Sequence, residues 1–150
     1  MLAADYGFDR DHLVFVELQG VPYPLFRQEM IKHSSIASVS ASSAVLVGGQ
    51  TWQRSRTAGM ETNQLIGIIT IDEHFIADLG LTILAGRAFD PAFSTEQQAV
   101  ILSEKAVRDL GLKTPEAAVG AVVTFEEDQP LTVVGVVKEF YFRPLSNSSR

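Results

Sequence analysis

An α+β fold is what this sequence predicts: a mixed sheet carrying short helices, in one domain or in two small lobes that share a core. Three observations lead there. Short β-branched and aliphatic runs recur at residues 13–18, 65–71, 99–102 and 131–137. Stretches with helical spacing and a definite stop lie among them, at residues 72–80 and 103–111. The two kinds of segment do not alternate regularly, and that mixture is characteristic of α+β architecture. A chain of 150 residues, 46% hydrophobic and 9% aromatic, has the length and composition to bury such a core.

Residues 2–12 are a lead-in with a DRD charge cluster and two aromatics, Tyr6 and Phe8. Residues 13–18 (LVFVEL) are continuous, apolar and β-branched, so they read as a buried strand. Gly20 and Pro22 break it. Pro24 suits a first helical turn, where its missing N–H costs nothing, and residues 25–33 follow as a short helix with Phe26, Met30 and Ile31 inward. Residues 36–42 (IASVSAS) alternate apolar or small side chains with serine, which is strand periodicity. The first third therefore predicts strand, helix, strand, a small βαβ-like lobe. Residues 45–61 carry the weakest pattern. Gly48-Gly49 opens a loop, and Trp52, Arg54 and Arg56 recur at period two, as on a strand with one exposed face. Residues 59–63 turn the chain. Residues 65–71 (LIGIITI) then predict a strand buried on both faces.

The chain is organised around residues 72–90, DEHFIADLGLTILAGRAFD. Asp72 is placed to cap a helix, its carboxylate accepting from the free N–H groups of the first turn. Phe75, Ile76 and Leu79 form one apolar face at helical spacing. Gly80 takes the left-handed conformation that ends the helix. Residues 81–84 resume as a short extended run, Gly86-Arg87 turns the chain, and Phe89 returns an aromatic to the core. Residues 91–98 are a mostly polar loop, and 99–102 another buried strand. Ser103 caps a helix over 104–110 with Val107 and Leu110 inward and Gly111 as its stop. Thr114-Pro115 starts a further helix, proline at the first position behind a hydroxyl cap, closing at Gly120. Residues 122–125 and 131–137 flank a turn at 126–130 and predict an antiparallel hairpin, which Phe140, Tyr141 and Phe142 extend. Residues 146–150 have the composition of a solvated tail.

Composition excludes several functions. A formal charge of −6, from 12 Lys and Arg against 18 Asp and Glu, leaves no concentrated basic surface for nucleic acid or for an anionic membrane. With no cysteine there are no disulfides, thiolate nucleophiles or Cys-based metal sites. No apolar run reaches the ~18–20 residues that cross a bilayer. No signal-peptide pattern precedes residue 10. The chain as given is expected to be soluble, in the cytosol or as a piece of something larger.

The search for chemistry is short. His12, His33 and His74 are widely separated in no ligand pattern. His74 adjoins Glu73 and Asp72, but helix neighbours point about 100° apart, so a solvated helix start is expected rather than a metal site. Asp9/Asp11 and Glu126/Glu127/Asp128 sit in predicted loops, where water keeps both members of a pair ionised and no acid–base division arises. No serine stands in a nucleophile elbow, and neither Gly48-Gly49 nor Gly86-Arg87 is a phosphate loop. Arg87 could bind an anion, but pairing with Asp90 is the plainer expectation. Trp52, Arg54 and Arg56 form either an exposed contact strip, since Trp and Arg are enriched at interfaces, or a sheet edge with one wet face. No cofactor or metal is expected, and the residues point away from an enzyme.

Several segments in this order resemble a known family: GFDRDHLV at residues 7–14, IASVSASS at 36–43, DEHF at 72–75, LGL at 79–81, LAGRAF at 84–89, VILSEKA at 100–106, LGL at 110–112, AVG at 118–120 and VGVVKEFYF at 134–142. Together they resemble the periplasmic core domain of MacB-like (FtsX-type) ABC transporter permeases, over residues 7–145. The resemblance implies an αβ lobe of about residues 8–45 with the strand at 131–145, and a more irregular lobe of about 46–130. It implies a position between the first two membrane helices of a permease subunit, on the periplasmic side of the bacterial inner membrane. It implies a second permease subunit, a cytoplasmic ABC ATPase and an outer partner. Motion driven by ATP hydrolysis would pass through the domain to expel substrates or move partners. It brings no catalytic residues; Asp72, Phe75, Gly80, Gly86, Arg87 and Phe89 are then structural motif positions. Members of that family carry membrane helices and run on past the VVKEF strand, and a sheet edge left open here could pair with another copy. The alternative is a self-contained extracytoplasmic ligand-binding domain that uses the Trp52–Arg56 strip.

Overall fold

The computed structural model describes residues 12–43 and 51–140. The Gly48-Gly49 loop, Tyr141 and Phe142, most of the lead-in and the C-terminal tail lie outside them. The frame is one mixed six-stranded sheet in the order β2-β1-β5-β6-β3, with β4 also beside β6. The strands are β1 (Thr51–Thr57), β2 (Gln64–Ile68), β3 (Ile83–Gly86), β4 (Ala99–Ser103), β5 (Val122–Phe125) and β6 (Gln129–Val137). The helices are short: α1 (Tyr23–Met30), α2 (Phe75–Asp78), α3 (Glu104–Asp109) and α4 (Pro115–Ala118). The predicted α+β class, a mixed sheet with short helices, is the one observed.

Two hairpins supply most of the sheet. β1 and β2 run antiparallel, Thr51 opposite Ile68 and Ser55 opposite Gln64. β5 and β6 run antiparallel across a tight turn, Val122 opposite Thr132 and Phe125 opposite Gln129, as the alternation of the two runs predicts. β6 is the axis of the fold: β5 pairs with its first half, β3 antiparallel with its last residues, and β4 parallel along 132–137. The β3–β6 crossing is possible because glycine faces glycine. Gly86 pairs with Gly135, and a Cβ on either would lie closer than 3.0 Å to the opposite backbone.

The larger core cluster gathers the inward residues of this sheet, Ile66, Leu102, Val123, Phe125, Val133 and Val136, under Val107 and Leu110 of α3 and Ala118 of α4. Sequence placed α3 and α4 correctly because their caps are local. Ser103 Oγ accepts from Ala106 N–H at 3.2 Å, and Thr114 Oγ1 from Ala117 N–H at 3.1 Å. A smaller cluster joins Phe75, Ile76 and Leu79 to Leu81 and Val137, with Leu13 and Phe140 packed against it.

Several expectations are corrected. Residues 13–18 form no strand. They take no regular secondary structure and have no sheet partner among the described residues, with Val14 80% and Val16 58% exposed. Residues 36–42 also form no strand, with one isolated bridge from Ser42 to Ile71. The strand–helix–strand reading of the first third thus holds only for its helix, because a strand needs a neighbour as well as suitable residues. Residues 65–71 do not make a strand buried on both faces: β2 is an edge strand on which Ile66 alone is buried. β3 begins two residues later than the extended run read at 81–84, and Gly86 ends it instead of turning the chain, since Arg87 N–H still donates to Val134 O at 2.9 Å. Phe89 is half-buried rather than in the core, and Phe140 follows β6 without extending it.

Candidate functional site

β1 carries the strip that the sequence singled out. Trp52, Arg54 and Arg56 are all exposed, and Ser55, facing the other way, is fully buried. Strand alternation alone fixes this division. Leu65 of β2 lies opposite Arg54 and Gly67 opposite Trp52, so the tryptophan has no side chain beside it on that strand. Arg56 pairs loosely with Asp128 at 3.5 Å, and Glu126 Oε1 accepts from Arg54 N–H at 3.2 Å. The hollow beside the two arginines measures about 380 Å³ and is lined also by Asn63 and Thr124. Carboxylates at the β5–β6 turn offset the local positive charge.

Asp72 accepts three hydrogen bonds. Its Oδ1 accepts from His74 N–H at 3.2 Å and Phe75 N–H at 3.1 Å, so it caps the turn leading into α2. Its Oδ2 accepts a hydrogen bond from the Tyr23 hydroxyl, 49 residues away. Burial, and then this bond, push the Tyr23 hydroxyl well above the usual tyrosine value. No periodicity could have found this pair, because nothing local links Tyr23 to Asp72. The same holds for Ser38, whose hydroxyl donates to Asp78 Oδ2 at 2.6 Å.

Asp72, Glu73 and His74 each place one ligand-type atom within 4.8 Å of the others. The expectation that helical spacing would separate them fails, since residues 72–74 form a turn before α2 starts. Their donors already have partners: Asp72 as described, and Glu73 Oε1 with His74 Nε2 at 3.4 Å. Asp72 thus serves the turn before α2, and Glu73 and His74 lie side by side at its surface.

Arg87 does not pair with Asp90. Its guanidinium grips Glu96 with both terminal nitrogens, at 2.7 and 3.1 Å, and stacks over Phe93 at 4.1 Å from the ring centroid. Glu96 also accepts from Asp90 N–H at 2.7 Å, closing the polar loop into a clasp. The bond from Arg87 holds the Glu96 carboxyl below the usual range, and the bond to Glu96 raises the Arg87 guanidinium further. Sequence missed Glu96 because it chose the nearer carboxylate.

A cleft of about 1000 Å³ opens between β2 and β4. Ile66, Ile68, Ile76, Val100, Leu131 and Phe140 contribute apolar wall, and Asp72, Glu73, Lys105, Asp109 and Glu139 contribute polar rim. Lys105 forms an ion pair with Asp109, and its backbone N–H donates to Glu139 at 3.0 Å. Of the rim carboxylates, Asp72, Asp109 and Glu139 thus each serve a structural bond. No helix among the described residues is long and apolar enough to cross a membrane.

The fold has counterparts. The periplasmic region of MacB from Actinobacillus actinomycetemcomitans superposes with a TM-score of 0.60 at 22% identity, over 78% of this chain and 50% of that one. The extracellular domain of the noncanonic ABC-type transporter YknZ from Gram-positive bacteria superposes with a TM-score of 0.60 at 24% identity, over 82% of this chain and 62% of that one. The chain therefore spans between half and two thirds of the length of these two structures. No curated protein sequence matches it. The MacB-like periplasmic core domain family matches residues 4–149, nearly the whole sequence. By that match the chain belongs to the MacB-like periplasmic core domain family, a periplasmic domain of ABC transporter permeases.

Proposed function

We propose that this chain is the extracytoplasmic domain of an ABC transporter permease subunit on the periplasmic side of the inner membrane, and that it carries motion rather than chemistry. In this reading a cytoplasmic ABC ATPase hydrolyses ATP, two permease subunits pair, and the domain passes the resulting movement outward to export a substrate or shift a partner. The family match over residues 4–149 carries the proposal. The carboxylates are in keeping with it, since Asp72, Asp78, Glu96 and Asp109 each hold structure together. The reading includes two lobes, residues 8–45 with 131–145 and residues 46–130, β6 running from the second into the first. It places contact with an outer partner on Trp52, Arg54 and Arg56. The test is the parent permease reconstituted with its ATPase in vesicles, with this domain replaced by a Gly/Ser linker. Transport should stop while basal ATP hydrolysis continues. Undiminished transport would refute the proposal.

The apolar cleft favours a second reading, a self-contained ligand-binding domain, because its volume is that of a small-molecule site. A saturable rise in melting temperature with one compound of a hydrophobic panel would support it. A flat response across the panel would remove it.

A further inference from the structure

Consecutive residues just beyond β6 are each held by a different partner. Lys138 N–H donates to Thr82 O at 2.8 Å, which carries the ladder one residue past the last β3–β6 pair, Ile83 with Val137. Glu139 Oε2 accepts from Lys105 N–H at 3.0 Å. That N–H belongs to the first turn of α3, whose donors have no partner within the helix; the next one, on Ala106, goes to Ser103. Phe140 packs against the small cluster of Phe75, Ile76, Leu79, Leu81 and Val137. Through α3, which buries Ala106 and Val107, the segment also reaches the larger core. Leu13, ahead of α1, packs against the same small cluster, so the lead-in and the exit from β6 meet at one place. The Lys138 side chain takes no part: it is exposed, and only its backbone is bonded among the described residues.

We infer that Lys138–Phe140 is the junction at which movement enters the domain, with Glu139 and Phe140 as positioning residues that hand it to α3 and to the α2 cluster. The inference rests on the transport reading for the source of the movement, and on these attachments for its path. A strand end held only by its own ladder frays at almost no free-energy cost. This one cannot peel a bond at a time, because Glu139 and Phe140 are fixed to elements off the ladder. A displacement at Phe140 is therefore shared among the entry to β3, the start of α3 and the α2 cluster. Packed side chains, hydrogen bonds and rigid elements are what carry coupling between distant sites, and here they join both cores to one short segment.

The test uses the parent permease reconstituted with its ATPase in vesicles, together with amide exchange on this chain. Glu139→Ala combined with Phe140→Ala should lower the substrate moved per ATP roughly tenfold while ATP hydrolysis continues. The melting transition followed by Trp52, the single tryptophan, should persist. In this chain the same variant should speed exchange at Lys105 and Lys138 N–H about tenfold, and leave Val133 N–H, bonded to Ala121 O, as it was. Glu139→Gln keeps an acceptor oxygen and Lys138→Gln cuts no side-chain bond, so both should transport as the unchanged protein does. Unchanged transport per ATP in the alanine variant refutes the junction, and so does unchanged exchange at Lys105 and Lys138. A lost Trp52 transition refutes it too, since the two residues would then serve folding alone. If transport survives replacement of the whole domain by a linker, the transport reading fails and the junction with it. If transport needs the domain but not Glu139 and Phe140, the junction alone fails.

Discussion

Residues 13–18 and residues 133–137 are both short β-branched runs, and their fates are opposite. Val133, Val136 and Val137 are 1%, 0% and 3% exposed, whereas Val14, Phe15 and Val16 are 80%, 48% and 58% exposed. Composition does not separate them. Neighbours do: β6 has β3, β4 and β5 along it, and the earlier run, in the N-terminal arm of residues 12–43, has no strand beside it among the described residues. The same contrast extends to the helices. α3 buries Ala106 and Val107 and is capped by Ser103, while α1 buries nothing and starts at Pro22 without a side-chain cap. The difference shows that a hydrophobic run specifies a capacity for pairing, which only the surrounding chain can fill.

The contrast breaks most sharply where the body is tightest. Gly86→Ala places a methyl group against the Val134 carbonyl at a residue already at φ +71°, and Gly135→Ala meets the Arg87 backbone. Either should cost more than about 4 kcal/mol in urea denaturation or prevent folding, the range left to overpacking and backbone strain. Gly20→Ala in the arm, also at positive φ but with open space around it, should cost far less. Equal costs would mean that the glycine crossing does not hold the sheet.

Core truncation comes next. Leu110→Ala removes a fully buried side chain and should cost about 2–5 kcal/mol. Val14→Ala should change stability by less than about 0.5 kcal/mol, as an exposed position does. A large cost at Val14 would show the arm to be covered in solution, and the contrast would fail there.

These comparisons also show what the sequence could carry. Capped helices, hairpins and glycine stops were legible because their signals lie within a few residues: Ser103 to Ala106, Thr114 to Ala117, and Val122–Phe125 against Gln129–Val137. Strand burial was not, because β2 owes its bare edge and residues 13–18 their exposure to elements elsewhere. At the candidate site the alternation of Trp52, Arg54 and Arg56 was readable, and so was Asp72 as a cap. The Tyr23–Asp72 and Ser38–Asp78 bonds were not, since their partners are 49 and 40 residues apart. Arg87 had two carboxylates in reach, and choosing Glu96 over Asp90 requires the loop that the clasp itself closes.

Caps offer a smaller test of the same divide. Ser103→Ala should cost about 1 kcal/mol by loss of the bond to Ala106 N–H. Glu29 in the arm and Glu96 in the body separate the regions by pH. Both carboxyls are held below the usual value by a cation, Lys32 and Arg87 respectively. A depressed folded-state pKa contributes stability that is present above the ordinary glutamate value and lost as pH falls through the folded one. Below pH 4.5 the clasp should therefore weaken, and Glu96→Gln should lose that part of the pH dependence of melting. Glu29→Gln should not change the profile, because an exposed pair contributes little. Identical profiles for the two variants would erase the distinction.

The comparison that starts from no expected loss is the most exacting. Ser55 is fully buried on the inner face of β1, and its hydroxyl has no hydrogen-bond partner among the described residues. An unpaired buried hydroxyl opposes folding, so Ser55→Ala should range from neutral to about 1–2 kcal/mol more stable, measured by urea denaturation. Ser40→Ala in the arm, half-exposed and within reach of water, should do nothing comparable. If Ser55→Ala instead destabilises by more than about 1 kcal/mol, the hydroxyl is bonded. The inner face of the sheet is then wetter than its valines and leucines imply. The body would share with the arm a dependence on polar contacts that its packing otherwise denies.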